Sequence, residues 1–238
     1  MRLLISEKYR VIINLKGEIK MNFTPIDLNT WNRGQMFYYF FKMATTGYSL
    51  TVNVDVTKLK AVCKENGIKF FPAYLWLTTK NLNCQTEFKV AEKDGKLGFY
   101  DTLTPLYAAF HEDDKTISFM WTEYSDDFMT FYGRYLENQR LYGENHGVFC
   151  QPQTPPPPNA YTVSCLPWVS FSHFSVASFE NKPYYFPSVE AGKYFTEGDR
   201  LMMPLSLTCH HATTDGYHVN RFLEDFCNDA DNFAEFIR

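Results

Sequence analysis

The sequence lacks an excess of charge of either sign, since 27 acidic side chains stand against 23 basic ones and the net charge is −4 at pH 7. Proteins that bind nucleic acid or an anionic membrane usually present a strongly basic surface. We therefore expect neither a nucleic acid nor a membrane as a partner.

Closely spaced cysteines are also missing. The chain has no C-x-x-C pair and no Cys/His spacing suited to zinc, because its six cysteines lie far apart: Cys63, Cys84, Cys150, Cys165, Cys209 and Cys227. Disulfide frameworks and structural zinc sites both need regular spacings of this kind. We expect reduced, mostly buried thiols in a cytoplasmic protein, and no metal site.

Residues 1–20 contain no long apolar run. Charged side chains interrupt their apolar patches, so neither a signal peptide nor a membrane span is indicated. Met21 then precedes the regular pattern. We interpret residues 1–20 as an N-terminal extension, either an upstream translation start or an added arm, and residues 21–238 as a single domain.

Large apolar side chains are abundant. Hydrophobic residues make up 45% of the 238 residues and aromatic ones 18%, with 22 Phe and 16 Tyr. This is enough to bury a sizeable core, and large rings favour sheets and rigid pockets. The composition therefore predicts a folded domain with a β-rich interior.

Periodicity predicts the individual elements. Residues 48–56 alternate apolar and polar side chains, which is typical of a half-buried strand, and Asp94-Gly95 marks a turn between two strands. Further strands are predicted at 106–110, 116–121, 161–164, 171–175 and 201–208. Helices are predicted at 31–43, between Thr57 and Gly67, and at 73–82, 126–141 and 217–236.

The prolines at 155–158 cannot pair in a sheet, so we interpret 151–159 as an exposed loop rather than a domain linker. The uneven order of strands and helices predicts an α+β fold with a large mixed sheet.

The sharpest motif is HHATTDG at 210–216, between a predicted strand and a predicted helix. Loops at such junctions can present side chains to a cleft. A neutral imidazole at the end of a strand, with a carboxylate one turn away, suits a general base. The same pattern also fits a buried histidine satisfied by backbone groups, with Asp215 capping the helix and Gly216 in a tight turn.

Other motifs accompany it in a fixed order. They are WNR at 31–33, KFFP at 69–72, YGEN at 142–145, LPWV at 166–169, GKY at 192–194, GDRLMMPLSL at 198–207 and HHATTDGYHVNRF at 210–222. Together they closely resemble the chloramphenicol acetyltransferase family over nearly all of the chain from Met21 onward.

The resemblance implies the two-layer α+β sandwich of the CoA-dependent acyltransferases. It also implies acetyl transfer from acetyl-CoA, as a co-substrate, to a hydroxyl of chloramphenicol or a similar small acceptor, with no permanently bound cofactor and no covalent enzyme intermediate.

The resemblance also implies roles for single residues. His211 would be the general base, Ser164 would donate a hydrogen bond to the oxyanion, and Asp215 would pair with Arg33 to hold the histidine loop. Positions that line the coenzyme path fall on Lys69, Phe70, Trp168, Lys193 and Tyr194. Positions of the acceptor pocket fall on Tyr39, Phe40, Ile117, Phe119, Phe149 and Glu190. Taken singly, Ser164 also fits an ordinary strand hydroxyl, Arg33 a solvated first-turn charge, and the coenzyme positions surface residues.

Glu190 is the most informative departure from the family pattern, because drug-acetylating members have a threonine near the acceptor at this point. An unpaired carboxylate is costly to bury. We therefore expect Glu190 to favour an acceptor with more hydrogen-bond donors or a positive charge and to weaken turnover of chloramphenicol. The alternative is that its side chain turns outward.

The resemblance further implies a homotrimer with each active site at a subunit boundary. Two alternatives stay open. The same acetyl transfer could act on a different hydroxyl or amine acceptor, or the chain could be a non-catalytic binding protein on this scaffold.

Overall fold

The structure is a computed structural model that describes residues 22–152, 155–177 and 184–237. The predicted extension at 1–20 lies outside the described residues, as do residues 153–154 of the predicted loop. No helix in the described ranges combines the length and the apolar character needed to cross a membrane.

Ten strands in the described residues form two sheets. Their bounds are β1 Phe23–Pro25, β2 Gly47–Asp55, β3 Val90–Lys93, β4 Lys96–Tyr100, β5 Thr104–Phe110, β6 Ile117–Trp121, β7 Ala160–Leu166, β8 Ser188–Gly192, β9 Phe195–Glu197 and β10 Arg200–His210. The main sheet has the order β2-β10-β8-β7-β5-β6, with β9 beside β10, and β1-β4-β3 form the small sheet. Strands β5, β7 and β8 are parallel, whereas β10 is antiparallel to β8 and β2. The predicted large mixed sheet is confirmed.

The predicted helices are present with shifted ends. Their bounds are α1 Gly34–Tyr38, which continues as a π-helical turn Tyr39–Met43, then α2 Thr57–Glu65, α3 Phe70–Asn83, α4 Phe128–Tyr142 and α5 Gly216–Asp231, followed by a 3-10 turn Phe233–Ile237. Side-chain caps mark two of these starts, those of α4 and α5. The Asp127 carboxylate accepts the Thr130 N–H at 2.7 Å at the start of α4, which satisfies one of the free donors there.

The two faces of the main sheet differ in character. Because successive residues of a strand point to opposite faces, one face collects apolar side chains and packs on the helices: Val163, Val189, Leu205 and Leu207 lie in one buried cluster with Trp76, Phe222 and Phe226. The opposite face has polar side chains in two rows. One row joins Thr51, Ser206, Glu190 and Ser164 in register, and the next joins Ser49, Thr208, Ser188 and Thr162.

The predicted strand at 171–175 is wrong. This segment crosses the polar face, and its backbone bonds go to side-chain hydroxyls instead of to a neighbouring strand. The Phe174 N–H donates to Thr51 Oγ1 at 3.3 Å, and the Phe174 carbonyl accepts from Ser206 Oγ at 2.5 Å. The prediction also missed β1, β8 and β9.

All six cysteines lie in the described residues and are free. Cys63, Cys150 and Cys209 are buried, while Cys84 and Cys227 are exposed, so burial is less complete than predicted.

Candidate active site

His211 lies directly after β10, at one edge of the main sheet. Its N–H donates to the Thr46 carbonyl at 2.9 Å, which extends the pairing of β10 with β2 by one more bond. Its ring stacks on Phe40 with centroids 3.8 Å apart and planes 12° apart, and it meets the Tyr48 ring edge-on at 5.1 Å. The position and the plane of the imidazole are therefore both fixed.

One hydrogen bond selects the tautomer of the neutral His211 ring. Nδ1 lies 3.0 Å from the Thr214 carbonyl oxygen. Because a carbonyl only accepts, Nδ1 must hold the proton, and Nε2 keeps its lone pair. The neighbouring His210 differs, since burial and the nearby His211 lower its pKa and its Nδ1 accepts the Ala212 N–H at 3.1 Å.

The predicted pair of Arg33 and Asp215 joins the start of α1 to the histidine loop. Arg33 Nη1 lies 2.6 Å from Asp215 Oδ2, and Nη2 donates to the His211 carbonyl at 3.3 Å. Asp215 also caps α5 by accepting the Tyr217 N–H at 3.1 Å, and its Oδ1 lies 2.9 Å from His218 Nδ1. Burial raises the pKa of Asp215, but the hydrogen bond from Arg33 and the charge of His218 outweigh burial and hold it below its usual value.

A second group of predicted residues lies where β7 and β8 end. Because these strands are parallel, their carboxyl ends share one edge of the sheet. Trp168 packs edge-on against Phe110 at 5.0 Å, and the Lys193 N–H donates to the Val169 carbonyl at 2.8 Å. Four of the predicted coenzyme residues lie at or beside this edge: Phe70, Trp168, Lys193 and Tyr194. The fifth, Lys69, occupies the N-cap position of α3, beside Phe70, without a side-chain capping bond.

We call this the serine edge, residues 164–169 and 192–194, and the opposite one the histidine edge, residues 46–47 and 210–215. The predicted acceptor residues are divided between them. Tyr39 and Phe40 lie beside His211, with ring centroids 5.0 Å apart. Ile117, Phe119 and Phe149 lie toward the serine edge, where Ile117 pairs with Phe110 and Phe119 bridges to Phe149.

Ser164 and His211 are far apart within one chain. Ser164, Glu190 and Ser206 share one row across β7, β8 and β10, and His211 follows Ser206 by five residues. A strand rises about 3.3 Å per residue, and neighbouring strands lie about 4.8 Å apart. His211 therefore lies about 17 Å from Ser164 along the strand direction and about 10 Å across the strands, which is about 20 Å in all. A general base and an oxyanion donor that serve one reacting carbonyl lie within about 7 Å of each other. The chain does not bring the two together.

Glu190 is turned into the protein and not outward. Its side chain is fully buried on the polar face, Oε1 accepts a hydrogen bond from the Ser188 hydroxyl, and the buried Oε2 has no partner among the described residues. Burial raises the pKa of Glu190 to about 7, against a smaller opposite effect of Ser188.

His111, Asp113 and His146 offer ligand atoms within 4.8 Å of one another. Ligating imidazoles direct lone pairs that lie in the ring planes. The rings of His111 and His146 stack at 4.0 Å with planes 19° apart, so these lone pairs do not converge on one point. We assign no metal site to this cluster.

Comparison with known proteins identifies the family of the chain. The family model for chloramphenicol acetyltransferase matches residues 21–227. The chain is 35% identical to a chloramphenicol acetyltransferase of Clostridium perfringens over 218 residues, which is 91% of this chain and 99% of the relative. It is 39% identical to one of Staphylococcus aureus over 204 residues, 85% of this chain and 93% of the relative.

The chain belongs to the chloramphenicol acetyltransferase family. The predicted resemblance is confirmed, and this chloramphenicol acetyltransferase family member is an acyltransferase. A solved chloramphenicol acetyltransferase matches its fold with a TM-score of 0.78 at 22% identity, over 87% of this chain and 99% of that structure. A dihydrolipoamide acetyltransferase of Azotobacter vinelandii matches with a TM-score of 0.57 at 16% identity, over 96% of this chain and 98% of that structure. The predicted fold is confirmed.

Sequence reasoning missed three residues that contact the candidate site of this family member. Thr46 and Thr214 act through backbone carbonyls, which no side-chain pattern reveals. Lys60 on α2 places Nζ 5.1 Å from the ring centroids of both Phe70 and Tyr194. Its cation lies among the predicted coenzyme residues, but a lysine on a helix gives no distinct signal.

Proposed function

We propose that this protein transfers the acetyl group of acetyl-CoA to a hydroxyl of chloramphenicol or a similar small acceptor, with His211 as the general base. The observation that supports this most is the bond between His211 Nδ1 and the Thr214 carbonyl. It leaves Nε2 free to accept a proton, and the stacked Phe40 ring keeps that nitrogen in one direction. A positioned base of this kind contributes about 10²- to 10⁴-fold to a rate.

The proposed reaction passes through a ternary complex. His211 Nε2 takes the proton of the acceptor hydroxyl while its oxygen attacks the thioester carbonyl carbon, and the carbonyl electrons move onto oxygen. Ser164 donates a hydrogen bond to that oxyanion, which is stabilised as charge develops. The oxyanion then collapses, the carbon–sulfur bond breaks, and the coenzyme thiolate takes the proton back from His211. No enzyme group is acetylated.

Acetyl-CoA is proposed to bind at the serine edge. The side chains at this edge and those beside it on α2 and α3 combine aromatic surface with cations, which suits an apolar pantetheine arm and anionic phosphates: Lys60, Lys69, Phe70, Trp168, Lys193 and Tyr194. Trp168 is 62% exposed and Tyr194 39% exposed, so both are available to a ligand.

We propose a homotrimer, as the resemblance implies, and the separation of the two edges supports an assembly in which chains share sites. Since Ser164 and His211 of one chain lie about 20 Å apart by strand geometry, a complete site needs the serine edge of one chain against the histidine edge of another. A head-to-tail contact forms a ring when its rotation closes, and the ring proposed here has three chains. Each edge has exposed apolar side chains to bury, Met36, Tyr38 and Met43 beside the histidine edge and Phe110, Ile117, Trp168 and Val169 at the serine edge.

A different acceptor is the second candidate, and Glu190 favours it. The family threonine is replaced here by a buried carboxyl group whose Oε2 has no partner in the described part of the chain. An acceptor with an additional donor or an amine would match this group better than neutral chloramphenicol does.

The test is release of the CoA thiol from acetyl-CoA in the presence of a panel of hydroxyl and amine acceptors, with chloramphenicol among them. We expect acceptor-dependent release that is lost in His211→Ala. Acetyl-CoA binding without release for any acceptor would instead support a non-catalytic binding protein.

A further inference from the structure

Lys60 is a cation that two aromatic rings hold in place. It is half-buried on α2, and its Nζ lies 5.1 Å from the ring centroid of Phe70 and 5.1 Å from that of Tyr194, within the range of cation–π attraction. Lys58 on the same helix pairs with Asp231 at 2.9 Å, whereas Lys60 makes no ion pair and no hydrogen bond with other described residues. The rings therefore fix the position of the ammonium group and leave its hydrogen-bond donors for a ligand.

Two more lysines adjoin the same pair of rings. Lys69 directly precedes Phe70 and Lys193 directly precedes Tyr194, and both lysines are exposed. Neither forms an ion pair with a carboxylate of the described ranges. The described lysines that do so are Lys58, Lys80 and Lys115. Like charges near one another repel, so a group of cations without carboxylate partners around two rings indicates a site for an anionic ligand.

Lys60 and its two rings lie away from the proposed reaction centre. Lys60 on α2 and Phe70 on α3 belong to helices that pack on the apolar face of the main sheet, whereas the Ser164 side chain belongs to the polar face. Tyr194 follows β8 by two residues, and β8 has already run about 7 Å past Ser164 by Gly192. A ligand group at Lys60 is therefore a part of the coenzyme remote from the thioester. There the pantetheine arm is neutral and the phosphates of the nucleotide end are anionic, so a lysine cation selects a phosphate.

We propose that Lys60 binds a phosphate group at the nucleotide end of acetyl-CoA and makes the enzyme select a thioester that carries phosphate over one that does not. Its ammonium group donates to a phosphate oxygen, and little freedom is lost on binding because the rings already hold it. This inference rests on the proposed acetyl transfer from acetyl-CoA, and it names a residue for which the resemblance implies no role. Because the contact is remote from the reacting carbonyl, it is equally strong before and in the transition state, so it lowers KM and leaves kcat unchanged.

Equilibrium binding of CoA tests the inference without turnover, because CoA carries the same phosphates and no acetyl group. Titration calorimetry at low ionic strength should show a Kd about tenfold higher in Lys60→Met, the size of one charge-assisted hydrogen bond. Lys60→Arg should keep most of the affinity, since arginine also packs on rings and binds phosphate. The matched control is Lys58→Met, which removes the same charge from the same helix at the exposed pair with Asp231 and should keep the wild-type Kd. An unchanged Kd in Lys60→Met, or an equal rise in Lys58→Met, would overturn the inference.

Kinetics with two acetyl donors show which group Lys60 recognises. S-acetylpantetheine has the thioester and the arm of acetyl-CoA but no phosphate. We expect the ratio of kcat/KM for acetyl-CoA to that for S-acetylpantetheine to fall about tenfold in Lys60→Met, through KM for acetyl-CoA. An equal loss for both donors would mean that Lys60 only supports the packing of Phe70 and Tyr194, which contradicts the inference. Acetyl transfer with an unchanged Kd in Lys60→Met contradicts this inference alone, whereas a raised Kd without transfer to any acceptor contradicts the proposed function alone.

Discussion

The two edges of the main sheet are built in opposite ways. At the histidine edge, the groups that orient His211 have partners within the chain. Its N–H and Nδ1 bond to the carbonyls of Thr46 and Thr214, and its own carbonyl accepts from Arg33. Its ring packs against Phe40 and Tyr48. At the serine edge the Ser164 hydroxyl has no hydrogen bond to other described residues, and Trp168 and Tyr194 are exposed.

In the proposed reaction, this difference means that one edge supplies a general base that is already oriented and the other supplies the surface that binds the ligands. A general base needs one orientation and one tautomer, and several short-range contacts can fix both within a chain. Donors for an oxyanion and surfaces for a coenzyme must keep their hydrogen-bonding capacity free until the ligand arrives. The unsatisfied groups of the serine edge are thus where ligands, and a neighbouring chain, are expected.

Replacing His211 has the largest expected effect. His211→Ala should lower kcat by about 10²- to 10⁴-fold, with the fold kept, because the loop remains fixed by the Arg33–Asp215 pair. Turnover and circular dichroism measure the two effects. His146→Ala is the matched control, since that histidine is exposed on the surface. Near wild-type kcat in His211→Ala would remove this residue from the mechanism.

Loss of a donor at the serine edge comes next. Ser164→Ala should lower kcat by about 10²- to 10³-fold with little change in acetyl-CoA affinity, because the bond is made mainly in the transition state. Exposed Ser170→Ala serves as the control. An effect limited to KM would mean that Ser164 binds the ground state instead.

The buried acid Glu190, on the polar face of the main sheet, should also make stability depend on pH. The folded pKa of Glu190, about 7, lies above the ordinary 4.5. As pH rises from 4.5 to 7 the unfolded chain loses this proton and the folded one keeps it, so the stability that Glu190 contributes at low pH is lost over this window and then stays constant. Urea unfolding should show Glu190→Gln gaining up to about 3 kcal/mol over wild type across the window. A difference that does not change with pH would contradict the burial of an unpaired carboxyl.

The smallest effect is expected at the Arg33–Asp215 pair. Their side chains are 12% and 38% exposed, so solvent screens the pair and its loss costs less than the about 3–5 kcal/mol of a well-buried one. Asp215→Asn keeps a good helix cap and should cost up to about 1 kcal/mol, whereas Asp215→Ala also loses the cap and should cost about 1–2 kcal/mol. Thermal denaturation of the two variants would show this order. Equal losses would mean that the cap contributes nothing.

The sequence predicted local features well and long-range ones poorly. The alternation at 48–56 and the turn Asp94-Gly95, where both residues have positive φ, depend on neighbouring residues and are present as β2 and the β3–β4 hairpin. The pattern at 171–175 also suits a strand, but sheet position is set elsewhere in the chain, and its bonds go to Thr51 and Ser206. Strand β8 was missed because a buried glutamate interrupts its pattern. The resemblance predicts His211 and Ser164 as site residues, but only the antiparallel direction of β10 places them at opposite edges.

Subunit mixing tests the central claim, that one site takes His211 from one chain and Ser164 from the next, most directly. His211→Ala and Ser164→Ala chains, each nearly inactive, are unfolded together and refolded in equal amounts. In a ring of randomly mixed chains, about one quarter of the contacts join an intact histidine edge to an intact serine edge. We predict about a quarter of wild-type activity, and the same fraction when wild type is mixed with the double variant. No recovery in the first mixture, with about half of wild-type activity in the second, would contradict the claim, because each site would then be complete within a single chain.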